Sequence, residues 1–328
     1  MHPDPAPEPA RPTSAGQDAP GGAFREWRLP LVLLALTLLT TLWSGAALHG
    51  LDPLEDPRAI LAGWDFSLPL LAILVTHELG HYVAGRLHGV DVSPPYFIPL
   101  PPPLGLGTMG AVIRIRSAIT DRRALLDVGA AGPLAGLAVA LPVLAVGLAA
   151  SPVEPLPPPG GGLIAEGHSI LYEAMLRAIL GPFPEGHDVM LTPTAFAGWM
   201  GLLVTMMNLL PFSQLDGGHI AFALLGPRQH RIGRAVLFAL PLVATVTGGY
   251  FGARALARGL TGDPLLHELL AGVHWLVWFG VLLLLGRLSG FDHPPSDHGT
   301  LGLGRKAVAV ACLVLFALLF MPSWMRDT

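Results

Sequence analysis

The chain has 328 residues, 52% of them hydrophobic and only 13% charged, with a mean hydropathy of +0.57. Soluble domains carry roughly 25% charged residues, so this composition excludes an ordinary soluble protein and predicts a membrane one. The net charge of −4, without a basic cluster, gives no reason to expect nucleic acid, and the single Cys312 excludes an intrachain disulfide or a CxxC metal pair.

Residues 1–28, rich in Pro, Ala and Gly, read as a disordered tail. Its acids and few serines argue against a transit peptide, and the apolar run from Leu29 reads as a retained first membrane helix. Apolar stretches of near-spanning length follow at about 30–49, 69–88, 124–150, 193–212, 233–252, 271–287 and 306–323. The predicted fold class is therefore all-α and polytopic, with about seven transmembrane helices. Arg86, Arg114, Arg116, Arg122 and Arg123 lie between spans two and three, whereas loop 151–190 is acidic. By the positive-inside rule this predicts a cytoplasmic N-terminus. The chain divides into a tail (1–28), a first helix with its outer loop (29–68), a membrane core (69–226) and C-terminal helices (227–328). Loop 151–190 is expected to hold one short helix at about 168–180.

One apolar stretch is not helical. "PPYFIPLPPPLGLGTMGAVI", residues 94–113, contains six prolines and three glycines, and proline both removes a donor and clashes inside a helix. Irregular backbone at membrane depth persists only if buried in protein or lining a cavity. A re-entrant loop or β-hairpin between spans two and three fits best, and an extended loop outside the membrane is the alternative. Along 109–117, Gly110, Ala111 and Val112 offer a strand edge to which an unwound peptide could add. The alternative is an internal hairpin with no substrate role.

Span two carries "THELGH". His77 and His81, four residues apart, share one helix face, so both imidazoles can reach one zinc ion. Glu78 beside them can take a proton from a water on that metal. Ionisable groups at bilayer depth cost at least about 2.5–3.5 kcal/mol each, so their presence there marks function. A catalytic zinc needs a third protein ligand and an open position. Asp216 in "NLLPFSQLDGGHI" is the candidate, because Pro211 breaks the helix and Gly217 and Gly218 allow close backbone approach. Gly132 and Gly136 form a G-x-x-x-G read mainly as helix packing. "HELLAGVH" at 267–274 has Ala271 where a second ligand is needed, and "FDHPPSDHG" at 291–299 reads as a solvated turn. His219 reads as locally hydrogen-bonded, and Arg86 and His88 as interfacial anchors.

"HELGH" in one span, "AAGPLAG" opening the next and "NLLPFSQLDGG" after it resemble the site-2 protease family of intramembrane zinc metalloproteases, over about residues 69–226. "PYFIP…GTMGAVIRIRS" resembles the branch with bacterial, cyanobacterial and plastid members, here without the family's frequent peptide-binding insert. The resemblance implies one zinc held by His77, His81 and Asp216, with Glu78 as general base. It also implies Asn208 as a contact to substrate backbone or the developing oxyanion. Its implied partners are a lipid bilayer, a transmembrane protein substrate and an upstream protease acting on that substrate. The expected location is a bacterial plasma membrane. The rival reading is a transporter or channel whose His/Glu/Asp cluster is an ion path.

Overall fold

A computed structural model describes residues 22–102, 105–156, 164–292, 296 and 299–327. Of the expected N-terminal tail, residues 1–21 lie outside this set, and α1 (Gly22–Leu48) already begins at Gly22. A 3-10 turn, Pro57–Gly63, is capped by Asp56 and leads into α2 (Trp64–Leu87). The next helix, α3 (Arg122–Ala149), starts behind the N-cap Asp121, whose carboxylate accepts from Arg123 N. Ser169 caps α4 (Ile170–Leu180), the short helix expected in loop 151–190. Thr192 caps α5 (Pro193–Asn208), with proline in its first turn, where the missing N–H costs no bond. The remaining helices are α6 (Asp216–Leu225), α7 (Arg228–Ala257), α8 (Asp263–Leu269), α9 (Val273–Ser289) and α10 (Leu303–Leu319).

The fold is mainly helical, and α1, α2 with its preceding turn, α3 and α7 are long and apolar enough to cross a membrane; α8 and α9, bent by 44°, make a fifth if counted as one span. The expected spans at 193–212 and 306–323 appear as α5 and α10, of 16 and 17 residues. At 1.5 Å per residue these helices are roughly 24–26 Å long, short of the ~30 Å hydrocarbon core. The physical reason is local: α5 stops at Asn208 where the chain turns toward Pro211, and α10 stops just before Pro322.

Helix α3 packs along α2 and α5 at the centre, and its Leu125, Leu126 and Leu144 join Trp199, Leu202 and Met206 of α5 in the main core. Outward faces stay apolar: Phe238, Leu242 and Val246 of α7 are all more than 60% exposed. Such a face suits lipid rather than water.

The proline-rich stretch forms a hairpin. Strands β1 (Tyr96–Pro99) and β2 (Thr108–Val112) pair antiparallel with Tyr96 opposite Val112 and Phe97 opposite Ala111; the register shifts at Ile98. Below them Val92 bridges Ile115, and Arg116 N donates to Asp91 O at 2.8 Å. The hairpin packs against α1 and α2. At its foot Val92 sits against Gly85, where an added Cβ would lie 2.8 Å from Val92 Cγ1. Near its tip Thr40 Oγ1 of α1 donates to Gly107 O at 2.6 Å, and the adjacent Thr41 hydroxyl pairs with Ser67 of α2 at 2.6 Å. Ser67 and Gly85 are separated by about 27 Å of helix. Phe97 of β1 is buried with Phe66, Leu70 and Leu74 of α2, which fixes the hairpin on that face.

Two further two-stranded sheets lie outside the all-α expectation. Strands β3 (Val153–Pro155) and β5 (His187–Val189) pair with each other, and β4 (Ile164–Glu166) pairs with β6 (Met325–Asp327).

Candidate metal centre

His77 and His81 occupy the inward face of α2 and are 3% and 5% exposed. Their Nε2 atoms lie 3.1 Å apart, and Asp216 Oδ2 lies 3.3 Å from the first and 3.2 Å from the second. His81 Nδ1 donates to the Val128 carbonyl of α3 at 2.8 Å, so in the neutral ring the lone pair is on Nε2, facing the other two atoms. Three atoms of metal-ligating type thus converge.

That arrangement fits a zinc ion. Corners of a tetrahedron with zinc–ligand bonds of about 2.0–2.1 Å are about 3.3–3.4 Å apart, close to all three observed edges. Imidazole and carboxylate are the appropriate donors, and three of them leave one position open. Among the described residues this is the one group of three or more His, Cys, Asp or Glu side chains suited to hold a metal.

The chain turns sharply to bring Asp216 there. Helix α5 ends at Asn208; Phe212 N donates to Leu210 O, Leu215 N donates to Phe212 O, and α6 begins at Asp216 itself. The two glycines after Asp216 permit this fold-back. A Cβ on Gly217 would lie 2.0 Å from Leu209 O, and one on Gly218 would lie 2.2 Å from Ser213 O. Ser213, with φ of 45°, is held in the left-handed region, and its hydroxyl donates to Gly290 O at 2.8 Å. The same turn places Asn208 Nδ2 3.2 Å from His77 Nε2.

Glu78 is also buried, and its carboxylate accepts no hydrogen bond among the described residues. The Asp216 side chain is 17% exposed against 4% and 7% for those of the two histidines, so the centre opens on the Asp216 side.

The other sequence-predicted positions separate clearly. Gly110, Ala111 and Val112 are in β2; Ala111 packs on the Phe66–Leu70–Leu74 cluster, and among the described residues β2 pairs with β1 alone. His267 and His274 fall on different helices across the 44° bend, and His274 stacks on Trp324 with ring centroids 4.5 Å apart. In the 291–299 turn, Asp292 pairs with Arg234 at 2.8 Å, while residues 293, 297 and 298 lie outside the described set. His88 pairs with Asp127 at 2.9 Å, and Asp127 also takes Arg305 at 2.7 Å.

Sequence reasoning missed two contributions of α3. Val128 supplies only a carbonyl, which no side-chain pattern reveals. Gly132 and Gly136 do more than pack helices. A Cβ on Gly132 would lie 2.0 Å from His81 Nε2, and one on Gly136 would lie 3.1 Å from His77 Cβ. The signal was the shared spacing: two glycines four apart face two histidines four apart.

The chain matches Peptidase family M50 over residues 65–244, more than half its length. It is 31% identical over 326 residues to the probable zinc metalloprotease EGY1, chloroplastic, of Arabidopsis thaliana, covering 91% of this chain and 54% of that protein. The EGY1 protein of Oryza sativa subsp. japonica is 31% identical over 83% of this chain and 43% of its own. Arabidopsis EGY2 is 34% identical over 55% and 31%. The chain thus spans about half the length, or less, of the curated relatives it matches. No solved structure matches it. Zinc is the metal these relatives are named for, in agreement with the donor set. None of this supports the transporter alternative. The expected bacterial plasma membrane is overturned: the relatives are named as chloroplastic, and the cytoplasmic reference for the N-terminus goes with it. With its two histidines, its aspartate and its matched region in agreement, the chain belongs to peptidase family M50, the site-2 protease family that its motifs resemble.

Proposed function

We propose that this protein is an intramembrane zinc metalloprotease that hydrolyses peptide bonds within or near the transmembrane segments of membrane proteins. The observation that carries the reading is the triangle of donor atoms at His77, His81 and Asp216 beside the unpartnered, buried Glu78. Zinc bound there would supply a Lewis acid that acidifies a water and polarises the scissile carbonyl.

The chain's own residues do the rest. Glu78 takes the proton of the attacking water on a carboxylate oxygen and returns it to the leaving amine nitrogen. The Asn208 amide, 3.2 Å from His77 Nε2, is placed to donate to the developing oxyanion. His77 is ten residues from the end of α2 at Leu87, about 15 Å of helix, so the chemistry takes place well below the membrane surface.

A helical peptide bond has its N–H and C=O already paired, so the substrate must unwind. The free edge of β2 at Gly110, Ala111 and Val112 supports its capture as an added strand. The packing of the hairpin against α1 and α2, both long and apolar enough to span, supports a re-entrant placement within the bilayer. On this reading α5 and α10 also cross, giving seven spans, with the turn after α5 buried in protein where irregular backbone is tolerated. The core at 69–226 is the protease proper, and 227–328 encloses it. Substrate trimming by an upstream protease belongs to the same proposal, as does a plastid membrane by analogy with the chloroplastic relatives.

Zinc content tests the site. The purified protein is expected to carry one zinc per chain, and His77→Ala and Asp216→Ala are expected to lose it. Stoichiometric zinc in both variants would place the metal elsewhere.

A further inference from the structure

Asp216 is held differently from the two histidines. They ride on a 24-residue helix, whereas Asp216 opens α6, which has ten residues and no side-chain cap at its N-terminus. A helix this short does not hold itself in place and depends on tertiary contacts. Its far end is gripped by one side chain. Arg122 donates from Nε to Ala223 O, from Nη2 to Leu224 O at 3.0 Å, and from Nη1 to Gly299 O at 3.3 Å. Carbonyls in the last turn of a helix lack intrahelical partners and form the negative end of its dipole, so a guanidinium is well matched to them.

Arg122 is also the first residue of α3, the helix that supplies Val128 O to His81 and presents Gly132 and Gly136 to the histidine rings. Where α6 crosses α3, Gly129 permits contact: a Cβ there would lie 2.9 Å from His219 Cβ and 3.3 Å from Asp216 O. One helix therefore orients a histidine ligand and, through Arg122, fixes the axial position of the helix that carries the carboxylate. Metal–ligand distances tolerate only about 0.2 Å, so a slip of α6 by a fraction of an ångström is enough to spoil the third bond.

We propose that Arg122 is a positioning residue for the metal centre, setting the register of α6 on α3 and through it the distance of Asp216 from His77 and His81. This rests on the reading of those three residues as the zinc ligands. Lysine cannot replace it fully, because a single ammonium lacks the planar fork that reaches several carbonyls at once.

The test uses the full-length protein in nanodiscs, with zinc affinity measured by chelator competition and the d–d spectrum recorded after cobalt substitution. Arg122→Ala is expected to weaken zinc by about 10–100-fold, the range typical of lost outer-shell support, and to change the cobalt band intensities. Arg122→Lys is expected to fall between it and the parent, and carries the same readouts if the alanine variant does not fold. Arg305→Ala, which removes an arginine from Asp127 of α3 but keeps the Arg122 bonds to α6, is expected to leave both readouts unchanged. Parental zinc affinity with an unchanged cobalt spectrum in Arg122→Ala or Arg122→Lys would overturn the proposal, even at a lowered melting temperature. Stoichiometric zinc in Asp216→Ala would instead sink the underlying ligand assignment.

Discussion

At the scale of single residues, the metal centre depends as much on side chains that are missing as on those present. Gly132 and Gly136 form the wall against which the His77 and His81 rings lie, and their clearances differ: 2.0 Å to His81 Nε2 for an added Cβ at the first, 3.1 Å to His77 Cβ at the second. The first distance is incompatible with the ring as placed, while the second asks for a shift of a few tenths of an ångström. Gly132→Ala is therefore expected to lower zinc affinity by about 100-fold, and Gly136→Ala by about tenfold or less. Chelator competition ranks the two; equal losses would mean that the glycines act only through general helix packing. Much of this was legible beforehand, since H-E-x-x-H in an apolar helix has few other uses. The glycines were visible as a spacing but not as a wall, because sequence does not say which face of α3 meets which face of α2.

At the scale of elements, short-range patterns read well and termination read poorly. The prolines of 94–113 ruled out a helix, and a hairpin stands there. The ends of α5 and α10 were each set four residues too far along the chain, because apolar residues continue past both helix ends, into the turn before Asp216 and toward Pro322. The pairing of β4 with β6 joins segments some 160 residues apart through three-residue strands, too short for any periodic signal. Loop 151–190 offers an electrostatic test. The His168 imidazole, at 2.8 Å, and the Arg177 guanidinium hold the Glu173 carboxyl below the ordinary glutamate value. A carboxyl lowered on folding stabilises the folded form above its unfolded pKa, and that contribution fades as pH falls through the lowered value. Hydrogen exchange at α4 amides is expected to speed up, relative to α2, as pH falls below the ordinary glutamate value of 4.5, modestly because the pair is exposed. Glu173→Gln is expected to remove that difference; persistence of the difference would assign it to another group.

At the scale of the whole molecule, the candidate metal centre is enclosed by helices whose outer faces suit lipid, with a hairpin packed beside α1 and α2. If the hairpin lies within the bilayer, Met109, 70% exposed on β2, faces lipid rather than water. With the native Cys312 buried, Met109→Cys gives a single reporter. It is expected to resist a membrane-impermeant thiol reagent in intact membranes and to react after detergent extraction. Rapid labelling in membranes would place the hairpin outside the bilayer. The central claim is proteolysis by Glu78 at a zinc centre, and cleavage of a model transmembrane peptide by the parent and by Glu78→Gln tests it most directly. Both proteins are expected to retain zinc, and the variant is expected to cleave about 10²–10⁴-fold more slowly. Equal rates from two equally metallated proteins would contradict it.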